Sequence, residues 1–301
     1  MFKKVYIEIS NICNLQCTFC PEVKRDKKIM SPALFQSILK QVVPITEQVC
    51  LHLMGEPLAH PEFVQIMKIC EEEKAKINLT SNAILLNKHR ELLLSHPTLQ
   101  QVNFSLHSFR DNFPGKSMDE YLNDVFTFSQ EMSDRKPETY INYRLWNQEH
   151  THELNFTNQE ILQGIESFFK VEVNSNLALN WKKSKKIINR LYLHFDTEFE
   201  WPSLQNKFRT TKGFCHALST HIGIHADGTV VPCCLDKEAG VNLGKCSEKS
   251  LEEILNSKRV QEMRQGFKNQ KLLEDLCQRC TYIERFDRKK ITGLKSEEIT
   301  L

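Results

Sequence analysis

The sequence lacks a marked charge excess, a long apolar run and any internal repeat. Its 40 lysine and arginine residues and 38 aspartate and glutamate residues give a formal net charge of +2. This balance gives no electrostatic reason to expect an obligate nucleic-acid partner. No apolar run is long enough to span a membrane, and the stretch at residues 5–7 is too short for the core of a secretory signal. We therefore expect a cytoplasmic protein that does not associate with a membrane.

The eleven cysteines are unevenly distributed. Three lie within residues 13–20, six lie within residues 215–280, and Cys50 and Cys70 stand between these groups. In a cytosolic chain, clustered cysteines more often bind metal or carry out redox chemistry than form disulfides. Cys50 and Cys70 lie in apolar surroundings, so we expect them to be buried core thiols.

The first half of the chain alternates predicted strands and helices. We predict strands over residues 4–10, 48–54, 76–80, 101–106 and 139–146, and helices over 31–43, from 60, 87–94, 118–132 and 158–169. A sixth strand is expected at residues 170–173, with 177–181 as the alternative. This alternation is typical of parallel βαβ units. The fold class is therefore α/β, a partial (β/α)6 barrel of the TIM type rather than the complete eight-stranded barrel.

The composition changes after about residue 206. A hairpin is predicted at Asp227-Gly228, and a helix begins at Ser250, which has Glu253 three residues later as in a capping box. We expect a barrel domain over residues 1–205, a small cysteine-rich domain over 206–285, and a charged tail over 286–301. The lysine-rich residues 182–186 are expected to form a solvated loop.

The first cysteine group places Cys13, Cys17 and Cys20 in a short loop directly after the first strand. Soft thiolate ligands favour zinc, copper(I) or iron–sulfur clusters. A closed zinc site needs four ligands, and a fourth is missing locally. Three thiolates on a four-iron cluster would instead leave one iron free to bind a substrate or cofactor.

This C-x3-C-x2-C loop, with Phe19 before its last cysteine, resembles the signature of the radical S-adenosylmethionine (radical SAM) superfamily. The resemblance implies that Cys13, Cys17 and Cys20 hold a 4Fe-4S cluster whose free iron binds S-adenosylmethionine. It implies reductive cleavage of that cofactor to a 5′-deoxyadenosyl radical, which abstracts a hydrogen atom from a substrate. It also implies a low-potential electron donor such as flavodoxin or ferredoxin.

Further positions follow the same resemblance. Residues 54–57 (Met-Gly-Glu-Pro) are similar to the family's Gly-Gly-Glu-Pro element, which implies that Gly55 and Glu56 contact the cofactor's amino group. The family's first glycine is replaced by methionine here. Ser105 corresponds to a position that contacts the ribose, and Arg144 is a candidate for the cofactor carboxylate.

The second cysteine group resembles the SPASM extension found in some radical SAM enzymes. Twelve residues separate Cys215 from Gly228 and four separate Gly228 from Cys233, and Cys277 and Cys280 supply two more thiols. The resemblance implies a shortened extension with one auxiliary 4Fe-4S cluster on Cys215, Cys233, Cys277 and Cys280. Four thiolates are equally suited to zinc, so the metal stays open at this point.

Two further cysteines are left over in this region. Cys234 is adjacent to a proposed ligand and can substitute for it, whereas Cys246 is expected to be an ordinary loop thiol. The histidines form no metal-ligand spacing such as H-E-x-x-H, so we expect structural roles for them. His107, which follows the fourth strand, is placed to face a pocket.

The resulting hypothesis is a radical SAM enzyme that modifies a peptide or protein. The first alternative is an enzyme of the same superfamily acting on a small molecule, such as a sugar, a nucleoside or a cofactor precursor. Alternatives from other classes are a non-catalytic zinc-binding module and an iron–sulfur electron-transfer protein.

Overall fold

A computed structural model of the chain describes residues 1–148, 156–173, 184–197 and 199–286. Its strands are β1 Phe2–Ile7, β2 Thr46–Cys50, β3 Ile77–Ser81, β4 Leu99–Ser105, β5 Tyr140–Gln148, β6 Ser184–Ile188, β7 Leu191–Thr197, β8 His221–Ile224, β9 Thr229–Val231 and β10 Gly244–Lys245. Its α-helices are α1 Pro32–Val42, α2 Phe63–Glu72, α3 Arg90–Ser95, α4 Ser108–Asn112, α5 Asp119–Arg135, α6 Phe156–Phe169, α7 Leu251–Leu255, α8 Lys258–Lys268 and α9 Asp275–Gln278. Short 3₁₀ helices occupy Val43–Ile45, Pro57–Ala59, Asn87–His89 and Tyr282–Phe286.

The ten strands of the described residues form one sheet in the order β10-β9-β8-β1-β2-β3-β4-β5-β7-β6. The strands from β1 to β5, together with β7, are parallel neighbours. Helices connect them and pack apolar faces against the sheet; on α1 that face is Phe35, Ile38, Leu39 and Val42. This is the predicted partial barrel, and these six strands bring their carboxyl ends to one rim.

The sixth parallel strand is β7, so its predicted position was wrong. Residues 171–173 form no strand, and Lys170 ends α6 with a φ of 54°. The alternative at residues 177–181 lies outside the described ranges. The strand is β7 because Leu191, Leu193 and Phe195 alternate with less buried residues and complete the core on this side.

The lysine-rich segment also differs from the prediction where the structure describes it. Residues 184–186 belong to β6, which pairs antiparallel with β7, rather than to a solvated loop. Ile187 and Ile188 at the end of β6 pack against the core. These two apolar residues explain why a charged segment joins the sheet, because its lysines can stay at the edge while the isoleucines are covered.

The cysteine-rich region continues the same sheet across residue 205. Strand β8 pairs parallel with β1, and β9 and β10 follow it antiparallel. The predicted turn is confirmed between β8 and β9, where Gly228 has a φ of +85°. The Ser250–Glu253 capping box is also confirmed, although the helix that it opens stops at Leu255 and a second one begins after the cap Ser257.

A row of amide side chains crosses the inside of the barrel below the rim. Asn103 donates to Asn78 Oδ1 at 2.8 Å, Asn142 donates to Asn103 Oδ1 at 2.9 Å, and His194 contacts Asn142 Oδ1 at 2.8 Å. Buried amides are stable only when their donors and acceptors are paired, and here they pair across β3, β4, β5 and β7. Within the described ranges, no helix is both long and apolar enough to cross a bilayer.

Candidate functional site

The loop that carries the first three cysteines (residues 11–30, the cysteine loop) is fixed at both ends. Asn11 closes it, since its Nδ2 donates to Asp26 O at 2.8 Å and its Oδ1 accepts from Lys28 N at 2.7 Å. Its tip is held by the short helix α4, where Asn112 Oδ1 accepts from Gln16 N at 2.7 Å and Asp111 accepts from both Thr18 N and Thr18 Oγ1. A loop pinned in this way presents its thiols in a defined arrangement.

The three thiols of the cysteine loop lie within electrostatic reach of one another. Burial, followed by charge on the neighbouring groups, raises the pKa of Cys17 to about 11 and that of Cys20 to about 12. Cys13 also has a raised pKa, again mainly because of burial. The thiols are thus protonated at neutral pH unless bound cations stabilise the thiolates.

Hydrogen-bond donors surround the same sulfur atoms. Asn112 Nδ2 lies 3.2 Å from Cys17 Sγ, Leu15 N lies 3.4 Å from Cys13 Sγ, and Asn82 Nδ2 lies 3.8 Å from Cys13 Sγ. Donors aimed at sulfur stabilise the electron-rich thiolates of an iron–sulfur cluster. The donor set, three soft thiolates with hydrogen-bond support, therefore fits a cluster with one iron left open.

Gly55 and Glu56 follow β2 and pack directly against the cysteine loop. Gly55 has a φ of +77°, and a Cβ there would lie 2.3 Å from Ser10 O. Glu56 is buried and accepts hydrogen bonds from Leu58 N at 3.0 Å and Asn82 N at 2.8 Å. Burial raises the pKa of Glu56 to about 7. Its carboxyl group lies beside the thiols and, when ionised, has acceptor capacity to spare.

Ser105 ends β4 and pairs with Arg144 of the neighbouring strand β5, and both line the cavity described below. The Arg144 guanidinium stacks on the Trp146 ring at 4.4 Å, and burial lowers its pKa. His107 also lines the cavity, as its sequence position indicated, and its ring lies 4.6 Å from that of Phe19. Since its Nδ1 lies 3.0 Å from the Arg144 carbonyl, this nitrogen carries the proton and Nε2 is left as an acceptor.

The second cysteine group assembles from three separate segments. Burial, and then charge on Cys234, Cys215 and Cys277, raises the pKa of Cys233. Burial, and then charge on Cys215 and Cys280, raises the pKa of Cys277. These four thiols are therefore neighbours, although 64 residues lie between the first and the last. Within the described ranges, no three His, Cys, Asp or Glu side chains form a site for a single metal ion.

The two leftover cysteines differ in their surroundings. Cys234 faces the cavity, and a hydrogen bond with Tyr6 lowers its pKa against the larger effect of burial, which raises it to about 11. Cys246 lies behind the hairpin turn, where its N–H donates to Gly228 O at 3.0 Å. Only burial changes its pKa, so it stands apart from the other thiols.

One cavity of about 620 Å³ connects the two cysteine groups. Its wall includes Cys20 from the first group and, from the second, Cys215, Cys233, Cys234, Cys277 and Cys280. A volume of this size is typical of small-molecule and cofactor sites. Cys50 is buried, as expected, and it also lines the same cavity. Cys70 does lie in the core, as expected.

Sequence reasoning missed several residues that hold this site together. Asp111 and Asn112 lie on a five-residue helix too short to leave a periodic signal. Glu8 is fully buried, bonds Arg25 at 2.6 Å, and accepts from Met54 N and Ala226 N. Glu8 stands among apolar residues at the end of the first strand. A charged residue in such a place is buried only when it is paired, and this position was the sequence signal that could have identified Glu8.

The similarity of the chain to known protein families agrees with these features. The sequence model of the radical SAM superfamily matches residues 7–174, which is more than half of the chain. The chain belongs to the radical SAM superfamily. An iron–sulfur cluster-binding domain, SPASM, also matches residues 215–281. This radical SAM enzyme therefore uses a 4Fe-4S cluster with S-adenosylmethionine and holds an auxiliary iron–sulfur cluster, which decides against the zinc-binding module.

Curated relatives resemble only part of this radical SAM enzyme. The probable GTP 3′,8-cyclase of Methanocaldococcus jannaschii is 32% identical over 108 residues, which is 35% of this chain and 36% of the relative. The GTP 3′,8-cyclase of Synechocystis sp. is 27% identical over 111 residues, or 35% of this chain and 34% of the relative. The chain thus spans about a third of the length of these relatives.

Solved structures share the fold over nearly the whole chain. Streptococcus suis SuiB bound to the precursor peptide SuiA has a TM-score of 0.62 at 17% identity, covering 95% of this chain and 73% of SuiB. BtrN in complex with AdoMet and 2-DOIA has a TM-score of 0.53 at 13% identity and covers 93% of both chains. At these identities the similarity concerns the fold alone.

Proposed function

We propose that this radical SAM enzyme abstracts a hydrogen atom from a residue of a peptide or protein substrate held in the cavity between its two cysteine groups. In this proposal Cys13, Cys17 and Cys20 bind the cluster that binds S-adenosylmethionine, which when bound supplies the radical. Cys215, Cys233, Cys277 and Cys280 bind the auxiliary cluster. Residues 1–205 and 206–285 act as the barrel and the auxiliary domain, which share one sheet.

Neighbouring residues position the cofactor. Gly55 lets the strand end approach the cysteine loop, and Glu56 is a buried acceptor for an ammonium group. Ser105 offers a hydroxyl for the ribose, and Arg144 offers a guanidinium for a carboxylate. Reduction requires a low-potential donor such as flavodoxin or ferredoxin, and eleven free thiols suit the reducing cytoplasm.

The observation that carries the peptide assignment is the mouth of the cavity. Residues 199–210 (the rim segment) contribute Phe199, Trp201 and Pro202 to the cavity wall. The same segment exposes Leu204 and Phe208, at 44% and 55% of their surface, and Trp146 lies on the wall at 37%. Exposed apolar side chains beside a site mark surfaces that contact another protein. A large substrate can rest there while one of its residues enters the cavity.

The rim segment is also tied to the auxiliary cysteines. Arg209 N and Thr210 N donate to Gln278 O, which lies between Cys277 and Cys280 in sequence. A substrate resting on the rim segment is therefore close to the auxiliary site as well as to the cysteine loop. SuiB, whose fold is similar, has been captured with its precursor peptide, which supports the same class of substrate.

Deuterium transfer tests the substrate class directly. The reconstituted enzyme, dithionite and S-adenosylmethionine are incubated with material from cells grown on deuterated medium, separated into a macromolecular and a small-molecule fraction. The 5′-deoxyadenosine formed is then analysed by mass spectrometry. We expect deuterated product from the protein and peptide fraction. Deuterium from the small-molecule fraction alone would contradict the proposal and favour a small-molecule substrate, as the GTP 3′,8-cyclase relatives suggest.

A further inference from the structure

The inside of the barrel carries basic side chains beside the cofactor contacts named above. Lys4 lies on β1 and His221 is its paired neighbour on β8, while His52 follows β2 and Arg144 lies on β5. All four line the cavity. The Tyr6 ring stands between two of them, 5.6 Å from the His52 ring and 6.2 Å from the His221 ring. They therefore form one group, which we call the lumen base group.

No acidic side chain among the described residues balances this group. The cavity wall contains Lys3, Lys4 and Arg144 but no described aspartate or glutamate. Within the described ranges, Lys4 and Arg144 have no salt bridge to a carboxylate. A cavity lined by charges of one sign concentrates ligands of the opposite sign. The lumen base group is therefore a site for an anion.

His52 supplies an independent sign that a ligand is missing from this place. Its Nδ1 is buried and has no hydrogen-bond partner among the described residues. Buried polar atoms without a hydrogen-bond partner are uncommon in folded proteins, because leaving them unpaired is unfavourable. Burial first, and then Arg144 and Lys4, lower the pKa of His52 to about 3. The imidazole is therefore neutral and can donate one N–H without adding charge.

We propose that Lys4 and His52 bind the side-chain carboxylate of an acidic residue in the substrate peptide. This inference rests on the proposed function, because it takes the substrate residue to enter the cavity. Lys4 supplies the charge and His52 the hydrogen bond, a combination that favours an ionised acceptor over its neutral isostere. The aromatic wall, with Tyr6 and Trp146, covers the aliphatic part of the same side chain.

Binding of two small probes tests the inference without turnover. The reconstituted protein with bound S-adenosylmethionine is dialysed against N-acetyl-glutamate amide or its neutral isostere N-acetyl-glutamine amide. We expect the glutamate probe to bind at least about tenfold more tightly, since a hydrogen bond to a charged acceptor is stronger than one to a neutral acceptor. The Lys4→Gln variant should lose this preference, the Lys4→Arg variant should keep most of it, and the exposed Lys68→Gln variant should match the wild type.

The outcomes separate the inference from the proposed function. Equal binding of both probes to the wild type, or an unchanged preference in Lys4→Gln, would overturn the carboxylate site. Because the wild-type comparison needs no variant, the test holds even if Lys4→Gln fails to fold. Tight binding of inorganic triphosphate without binding of the glutamate probe would overturn it in favour of a phosphate-bearing molecule. A Lys4-dependent preference together with deuterium transfer only from small molecules would support the site and contradict the peptide substrate.

Discussion

At the residue scale, Glu56 combines burial with unused capacity to accept hydrogen bonds. It is buried, and both of its oxygens already accept a backbone hydrogen bond, one closing the turn at Leu58 and one from Asn82, which follows β3. A carboxylate has about four acceptor positions, so room is left for an ammonium. Its pKa of about 7 means that this capacity depends on pH in the neutral range.

Cofactor affinity should therefore depend on Glu56 ionisation. A carboxyl group with a pKa near 7 is protonated below that pH and ionised above it, so only the higher pH provides the anion that attracts an ammonium. We expect the affinity for S-adenosylmethionine, measured by equilibrium dialysis, to rise severalfold between about pH 6 and about pH 8. The Glu56→Gln variant should lose this rise. An unchanged profile in Glu56→Gln, compared with the exposed Glu62→Gln, would contradict the assignment.

Gly55 should tolerate no side chain. Alanine there combines an unfavourable positive φ with a Cβ 2.3 Å from Ser10 O, so the cysteine loop must move. We expect Gly55→Ala to lower the free energy of unfolding by about 2–4 kcal/mol in chemical denaturation. Gly115→Ala is the matched control, because Gly115 has a φ of +79° and nothing within 4 Å. Equal losses in both variants would show that backbone strain alone, and not the close approach, is responsible.

At the scale of elements, the arrangement of the cysteine loop depends on its contact with α4. The loop and α4 are more than 90 residues apart in sequence, yet Asp111 and Asn112 bond Gln16, Cys17 and Thr18. The loop itself has no regular secondary structure beyond its bridge at Ser10. Its arrangement therefore depends on hydrogen bonds from a neighbouring element.

Asp111 should control how firmly the first cluster is held. Removing its carboxylate leaves Thr18 N without its partner beside Cys17 and Cys20. We expect Asp111→Ala to lose iron from the first site severalfold faster during anaerobic dialysis, while the auxiliary cluster is retained. Asp134→Ala, an exposed change on α5, should behave like the wild type. Equal rates of iron loss in Asp111→Ala and wild type would mean that α4 does not support the loop.

The elements themselves were largely predictable, and the contacts between them were not. Apolar alternation and helix caps identified β1 to β5, α1 and the hairpin at Gly228, because these patterns are local. Strand β7 was missed because it follows a hairpin partner, β6, whose lysines resemble a surface loop. The role of α4 and the pairing of β8 with β1 depend on contacts between residues far apart in sequence. Local sequence patterns do not predict such contacts.

At the scale of the whole molecule, Glu8 connects the main parts of the site. It contacts Arg25 of the cysteine loop, Met54 beside Gly55, and Ala226 beside the auxiliary hairpin. The same junction is reinforced by Glu238, which accepts from Lys24 N and Arg25 N. The cysteine loop and the C-terminal region are therefore connected by a buried ion pair and its neighbours.

Loss of the Glu8 charge should weaken the entire fold. Removing one member of a buried ion pair leaves the other unpaired, which typically costs about 3–5 kcal/mol. We expect Glu8→Gln to lower the free energy of unfolding by a similar amount in urea denaturation. Adding Arg25→Met should recover part of the loss, because the unpaired charge is then removed. A double variant no more stable than Glu8→Gln would contradict this explanation.

The most direct test of the two cluster sites measures bound iron and 5′-deoxyadenosine formation in the same samples. The wild type and a Cys13/Cys17/Cys20→Ala variant are reconstituted anaerobically with iron and sulfide, then given dithionite and S-adenosylmethionine. We predict that the variant loses about four irons and all 5′-deoxyadenosine formation while keeping the spectrum of a second cluster. Full product formation by the variant, or loss of both clusters together, would contradict the assignment of two separate cluster sites.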